Sequence, residues 1–154
     1  MQRRRRSAID IVAPRASVGV VVSRFNHEIT SRLLADASQA LRRYRVKEKN
    51  VTVVSVAGSV EIPYALQHLA RLKRYDCLVA LGCVIRGATA HFDYVCKMVQ
   101  EGVLRVMLDH HIPIGFGVLT VNTLEQAQAR IHVGGEAVAA ALELARLGAE
   151  QGPR

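Results

Sequence analysis

Tryptophan is absent from the 154 residues, and the other aromatics amount to three phenylalanines and four tyrosines. The chain therefore shows no interleaved aromatic and basic platform of the kind that grips single-stranded nucleic acid. Long apolar runs are missing as well: stretches such as Cys77 to Val84 fall far short of the ~20 residues that cross a bilayer. Three cysteines (Cys77, Cys83 and Cys96) sit in apolar contexts with no Cys-x-x-Cys spacing. An odd count without a framework points to buried thiols in a reducing compartment, so a cytoplasmic location is expected. His-Glu-x-x-His, Gly-x-Ser-x-Gly and the Gly-Lys-[Ser/Thr] end of a P-loop are all missing, which removes zincin, serine-hydrolase and nucleotide-hydrolysis readings. His110-His111 has no third ligand at suitable spacing, so the pair reads as helix-terminal and no metal is expected.

Half of the residues are hydrophobic and 22% are charged, the balance of one ordinary globular domain. Four of the charges behind the net +8 are Arg3 to Arg6, so half of the excess sits in one short run. Such a run reads as a solvated arm, and a nucleic-acid partner is not expected. No apolar h-region follows Met1 to Arg6, and regular patterning begins by Val18, so a removable leader is not expected either. The expected organisation is a flexible basic arm at 1–16, one domain at 17–148 and a tail at 149–154.

Within the domain, short β-branched runs alternate with helical periodicity. Val18 to Val22 reads as a buried strand, and Leu33, Leu34, Ala37, Ala40 and Leu41 form one apolar face of a helix over Thr30 to Tyr44. Val51 to Val56 is a second strand, followed by a helix with Pro63 just inside its start and an end near Leu72. Cys77 to Val84 is a third strand and His91 to Leu108 a long helix. Ile114 to Leu119 is a fourth strand, and helices close the chain at Thr123 to Arg130 and Gly135 to Leu147. Alternation of this kind predicts parallel pairing with right-handed crossovers. The expected fold is α/β: a three-layer α/β/α sandwich on a flavodoxin-like four-stranded parallel sheet, in strand order 2-1-3-4.

Open sheets of this class bind ligands beyond the carboxyl ends of their strands. Four chemically loaded segments fall there: Ser23-Arg-Phe-Asn26, Ala57 to Glu61, Cys83 to Thr89, and Leu119 to Asn122. In Arg86-Gly-Ala-Thr89, small residues and a following helix N-terminus suit an anion such as phosphate, while a plain tight turn capped by Thr89 is the alternative. His91, just beyond, can exchange protons near neutral pH. Asp93 lies two residues further on. Glu61 is placed either to cap the next helix or to accept from a ligand's N–H groups. Phe25 offers a stacking surface or a core plug, Phe116 could be plain core, and Arg130 suits either a phosphate or its own helix C-terminus.

Taken together, these segments resemble the 6,7-dimethyl-8-ribityllumazine synthase family. The likeness runs from about Val18 to Leu147 and is most specific over Gly82-Cys-Val-Ile-Arg-Gly-Ala-Thr-Ala-His-Phe-Asp-Tyr-Val-Cys96. Ser23-Arg-Phe-Asn26, Gly58 to Pro63 and Leu124-Glu-Gln-Ala127 follow in the right order. The resemblance implies condensation of 5-amino-6-(D-ribitylamino)uracil with 3,4-dihydroxy-2-butanone 4-phosphate, releasing phosphate and water, with no cofactor. It implies that Phe25 stacks on the pyrimidine and that Ser59, Val60 and Glu61 hold the ribityl chain and its neighbours. Cys83, Val84 and Ile85 would line the ring site through their backbone. Ala88, Thr89 and Arg130 would hold the phosphate, His91 would donate the proton, and Phe116 would enter from a neighbouring subunit of a pentamer.

Three positions depart from the family's usual pattern. Ala57 stands where proline is common, Val60 replaces a usual aromatic, and the link Ile131-His-Val-Gly-Gly135 is shorter than usual and has no lysine. A protein of the same fold that only binds a flavin or lumazine, or that serves to form a shell, is the competing expectation.

Overall fold

A computed structural model describes residues 11–151. Four strands, β1 (Val18–Ser23), β2 (Val51–Val56), β3 (Cys77–Ile85) and β4 (Ile114–Val121), pair in parallel in the order β2-β1-β3-β4. Five helices accompany them: α1 (His27–Arg43), α2 (Ile62–Arg71), α3 (His91–Asp109), α4 (Leu124–Gln128) and α5 (Val133–Gln151). The expected sandwich and strand order are present.

β1 is wholly buried because both of its faces are covered. Val18, Val20 and Val22 join Val79 and Leu81 against Ala37, Ala40 and Leu41 of α1 and Ala137, Val138, Ala141 and Leu142 of α5. On the opposite face, Val21, Leu78 and Ala80 meet Ile62, Leu66 and Leu69 of α2 and Val99, Val103 and Val106 of α3. Gly115 brings α5 unusually close. A Cβ there would lie 2.7 Å from the Ala137 carbonyl carbon and would overlap its oxygen.

Several boundaries differ from expectation for identifiable reasons. α1 starts at His27 because Asn26 adopts a left-handed conformation (φ 60°) that turns strand into helix within one residue. α4 is short, with the Thr123 hydroxyl accepting from the Gln126 N–H at its start. α5 begins two residues before Gly135, and the Gly135 N–H donates to the Asp36 carboxylate of α1 at 2.7 Å. It also runs three residues past the expected end of the domain.

The Arg3–Arg6 run lies outside the described residues. The remainder of the expected arm, residues 11–16, is packed rather than loose. Ile11 is buried in the α1–α5 layer, and Ala13 donates to the Tyr44 carbonyl at 2.8 Å. Small and apolar side chains at 11, 13 and 16 let this segment extend the core. Among the described residues, no helix is long and apolar enough to cross a membrane.

Candidate active site

The sheet itself creates the crevice. Pairing of β1 with β3 ends at Val22 and Leu81, whereas β3 stays paired with β4 as far as Ile85 and Val121. Beyond Ser23 the chain instead follows β2, with Arg24 and Phe25 donating to the carbonyls of Val56 and Ala57 at 2.8 and 3.0 Å. Over residues 83–85, β3 therefore has no strand partner on the side that faces β1. The crossover from β1 leads outward to β2 and that from β3 leads to β4. This is the topological switch point at which open α/β sheets bind ligands. A cavity of about 380 Å³ occupies it.

Each wall comes from a different strand end. Phe25, in the β1–α1 loop, is 71% exposed and borders the cavity, so it is not a core plug. Its neighbour Asn26 donates through Nδ2 to the Cys83 carbonyl at 2.8 Å, tying that loop to the end of β3. The β2–α2 connection is a 3₁₀ turn over Ser59–Glu61. Gly82 allows this turn to close on the sheet: a Cβ at 82 would lie 2.8 Å from Ser59 Oγ and 3.1 Å from Ser23 Oγ. Glu61 occupies the N-cap position of α2 but makes no side-chain capping bond, and its exposed carboxylate faces the cavity. Capping therefore does not account for this carboxylate.

β3 forms the next wall. The Cys83 side chain turns away to pack with Ile29, Leu33 and Leu119. Burial pushes its thiol up to about 11, so it is a neutral apolar group and no nucleophile at physiological pH. Val84 and Ile85 complete that wall.

Gly87 and Thr89 line the end of the cavity where β3 hands over to α3, with exposed Ala88 between them. The Thr89 hydroxyl accepts from the His91 N–H at 3.3 Å and keeps its own proton for another acceptor. His91 is the first residue of α3, exposed, with its side chain on the cavity. Phe92 and Val95, to which the sequence assigned no role, add an apolar wall from the same helix. A cavity with apolar sides, a carboxylate, an exposed peptide edge and a helix N-terminus beside an imidazole can take a planar heterocycle and an anion together.

Two expected residues stand apart from this cavity within the chain. Phe116 lies on the edge strand β4, 42% exposed, so it is not plain core. The Arg130 guanidinium donates through Nη1 to the Gln126 carbonyl at 2.8 Å, closing the end of α4. Asn26 and Arg86 lie in segments that the sequence marks as chemically loaded, but it assigned neither an individual role. A polar amide directly before a helix was the available signal for Asn26, whereas nothing local marked the partners of Arg86.

The sequence model of the 6,7-dimethyl-8-ribityllumazine synthase family matches residues 15–149. That span includes every strand and every wall of the cavity. The chain belongs to the 6,7-dimethyl-8-ribityllumazine synthase family, whose activity is a condensation in riboflavin biosynthesis.

Proposed function

We propose that the protein condenses 5-amino-6-(D-ribitylamino)uracil with 3,4-dihydroxy-2-butanone 4-phosphate to give 6,7-dimethyl-8-ribityllumazine, phosphate and water. The observation that carries this reading is the cavity at the switch point. An exposed aromatic ring, an unpaired strand edge, a carboxylate and a small-residue turn at a helix N-terminus meet there beside His91.

The pyrimidine stacks on Phe25, and its polar edge pairs with the backbone of Cys83, Val84 and Ile85 much as a fifth strand would. Ser59, Val60 and Glu61 hold the ribityl chain and the adjoining N–H groups. Val60 is smaller than the aromatic usual in the family, which leaves more room there. The butanone phosphate sits on Ala88 and Thr89, where the N-terminus of the 19-residue α3 favours negative charge.

The primary amine attacks the ketone, and loss of water gives an imine. Phosphate then leaves, and ring closure with further loss of water completes the lumazine. Every stage moves protons and none needs a strong nucleophile. His91, one residue into α3, is placed to deliver and recover them, a role worth about 10²–10⁴-fold. Holding both substrates in reacting geometry can supply about 7–11 kcal/mol more.

Phe116 and Arg130 act in the site of a neighbouring subunit, Arg130 by gripping the phosphate, in a homopentamer with sites between subunits. The apolar surface left uncovered on one chain supports this assembly. Tyr94, Met98 and Leu108 of α3 are more than half exposed, and the edge strand β2 leaves Val53 half-exposed. The enzyme works in the cytoplasm, in keeping with its free cysteines.

Mixing both substrates with the protein and following lumazine absorbance tests the reading. Product formation above the uncatalysed background is expected. Absence of product, with the lumazine itself still bound, would favour the binding-protein alternative, and a monomer in light scattering would refute the shared site.

A further inference from the structure

We infer that Arg86 is a positioning residue that locks the phosphate turn and the first turn of α3 to the corner between β4 and α4. This rests on the function proposed above. Four contacts fix it. The Arg86 N–H donates to the Val121 carbonyl at 2.9 Å, and Nε donates to Asn122 Oδ1 at 2.9 Å. Nη2 lies 3.4 Å from the Asp93 carboxylate, and the guanidinium carbon stands 4.4 Å from the centre of the Phe92 ring. The planar fork thus spans two elements at once, with one nitrogen on the β4–α4 corner and another on α3, its face against an aromatic ring.

These commitments separate Arg86 from a direct anion ligand. Its guanidinium is not part of the cavity wall, and its Nε and Nη2 are engaged by Asn122 and Asp93. Gly87, Ala88 and Thr89 lie between Arg86 and His91, so both ends of the phosphate turn are held by one side chain. Beyond Asn122 the contacts continue: the Asn122 N–H donates to Gln126 Oε1 at 2.7 Å, and Arg130 donates to the Gln126 carbonyl. The turn that receives the phosphate and the α4 end against which Arg130 is held are therefore one braced body. In an assembly with shared sites, this brace connects the site of one chain to the arginine it lends its neighbour.

Exposed ion pairs alone contribute little. Geometry is what distinguishes this case, and Asn122 allows it to be tested without changing any charge. Asn122→Ala is expected to raise the KM for the butanone phosphate by about three- to tenfold while that for the pyrimidine amine stays put. Arg86→Lys keeps the charge but loses the fork, and is expected to match Asn122→Ala rather than the wild type. The double variant is expected to be no worse than the poorer single one, since both remove the same brace. A wild-type KM in Asn122→Ala, full retention of function by lysine, or additive effects would each overturn the inference. Should the wild type make no lumazine, the functional proposal falls, and amide exchange still reads the brace. Faster exchange over residues 87–94 in Asn122→Ala supports it, and unchanged exchange overturns it.

Discussion

Replacing Gly115 by alanine tests how closely α5 lies on the sheet. The added Cβ would stand 2.7 Å from the Ala137 carbonyl carbon and 3.2 Å from its Cα, and closer still to the carbonyl oxygen. Carbon atoms in contact prefer about 3.5–4.0 Å. Relief therefore needs a shift of about 1 Å between strand and helix, and a gap of that size forfeits a quarter to a half of the dispersion attraction it opens. No flexible side chain can absorb the clash, because both partners are backbone. α5 carries Ala137, Val138, Ala141 and Leu142 into the core, so the whole layer is disturbed. Overpacking of this kind costs about 1–3 kcal/mol, and a backbone collision belongs at the upper end. For a domain of this size, that lowers the thermal midpoint by about 6–12 °C at roughly 2–4 °C per kcal/mol. Gly148→Ala, in the same helix, is the control: a Cβ there meets nothing within 4 Å. Relief of a helical glycine is expected to stabilise by about 0.5–1 kcal/mol. Scanning calorimetry of the two variants checks both signs. A Gly115→Ala midpoint equal to or above that of the wild type would refute the packing argument.

Three further outcomes are expected. Asp36→Ala removes the acceptor for the Gly135 N–H near the start of α5, and costs about 1 kcal/mol in chemical denaturation. Ser23 Oγ is buried with no hydrogen-bond partner among the described residues. Ser23→Ala is therefore expected to leave stability unchanged or raise it by up to about 1 kcal/mol, and a loss of that size would contradict the assignment. Burial, and then the Asp76 charge, push the Cys77 thiol up to about 12, while burial alone takes Cys83 to about 11. Both values lie above the unfolded value of 9.0, so the folded state holds protons that the unfolded chain releases. Their contribution is complete below pH 9 and is lost as pH climbs toward the folded values. Denaturation midpoints are expected to fall from pH 9 to 10.5, less steeply in Cys77→Ala, and equal slopes would refute this origin.

How much was legible in the sequence depends on the range of the interaction involved. The order of elements followed from local periodicity: Val18 to Val22 and the 3.6-residue spacing of Leu33, Ala37 and Leu41 needed no tertiary information. The position of the cavity followed from topology, because every crossover in a parallel sheet places the loops after the strands on one rim. The exposed edge of β3 was not legible, since it depends on β1 leaving β3 to follow β2, a choice made by hydrogen bonds between distant segments. The same limit hid the Asn26 bond to Cys83 and the Arg86 contacts with Asn122, which span 57 and 36 residues. Residues 11–16 looked loose because their pattern is too short to show a face, yet Ile11 finds one on α1 and α5. Phe116 and Arg130 illustrate the remaining case. The roles proposed for them depend on a second copy of the chain, which no pattern within one chain encodes.

The most direct test of the central claim is the steady-state kcat for lumazine formation by the wild type and by His91→Ala, each saturated with both substrates. A loss of about 10²–10⁴-fold with KM values little changed is expected if the imidazole serves proton transfer while other groups hold the substrates. Equal kcat values in an active, correctly assembled variant would contradict it.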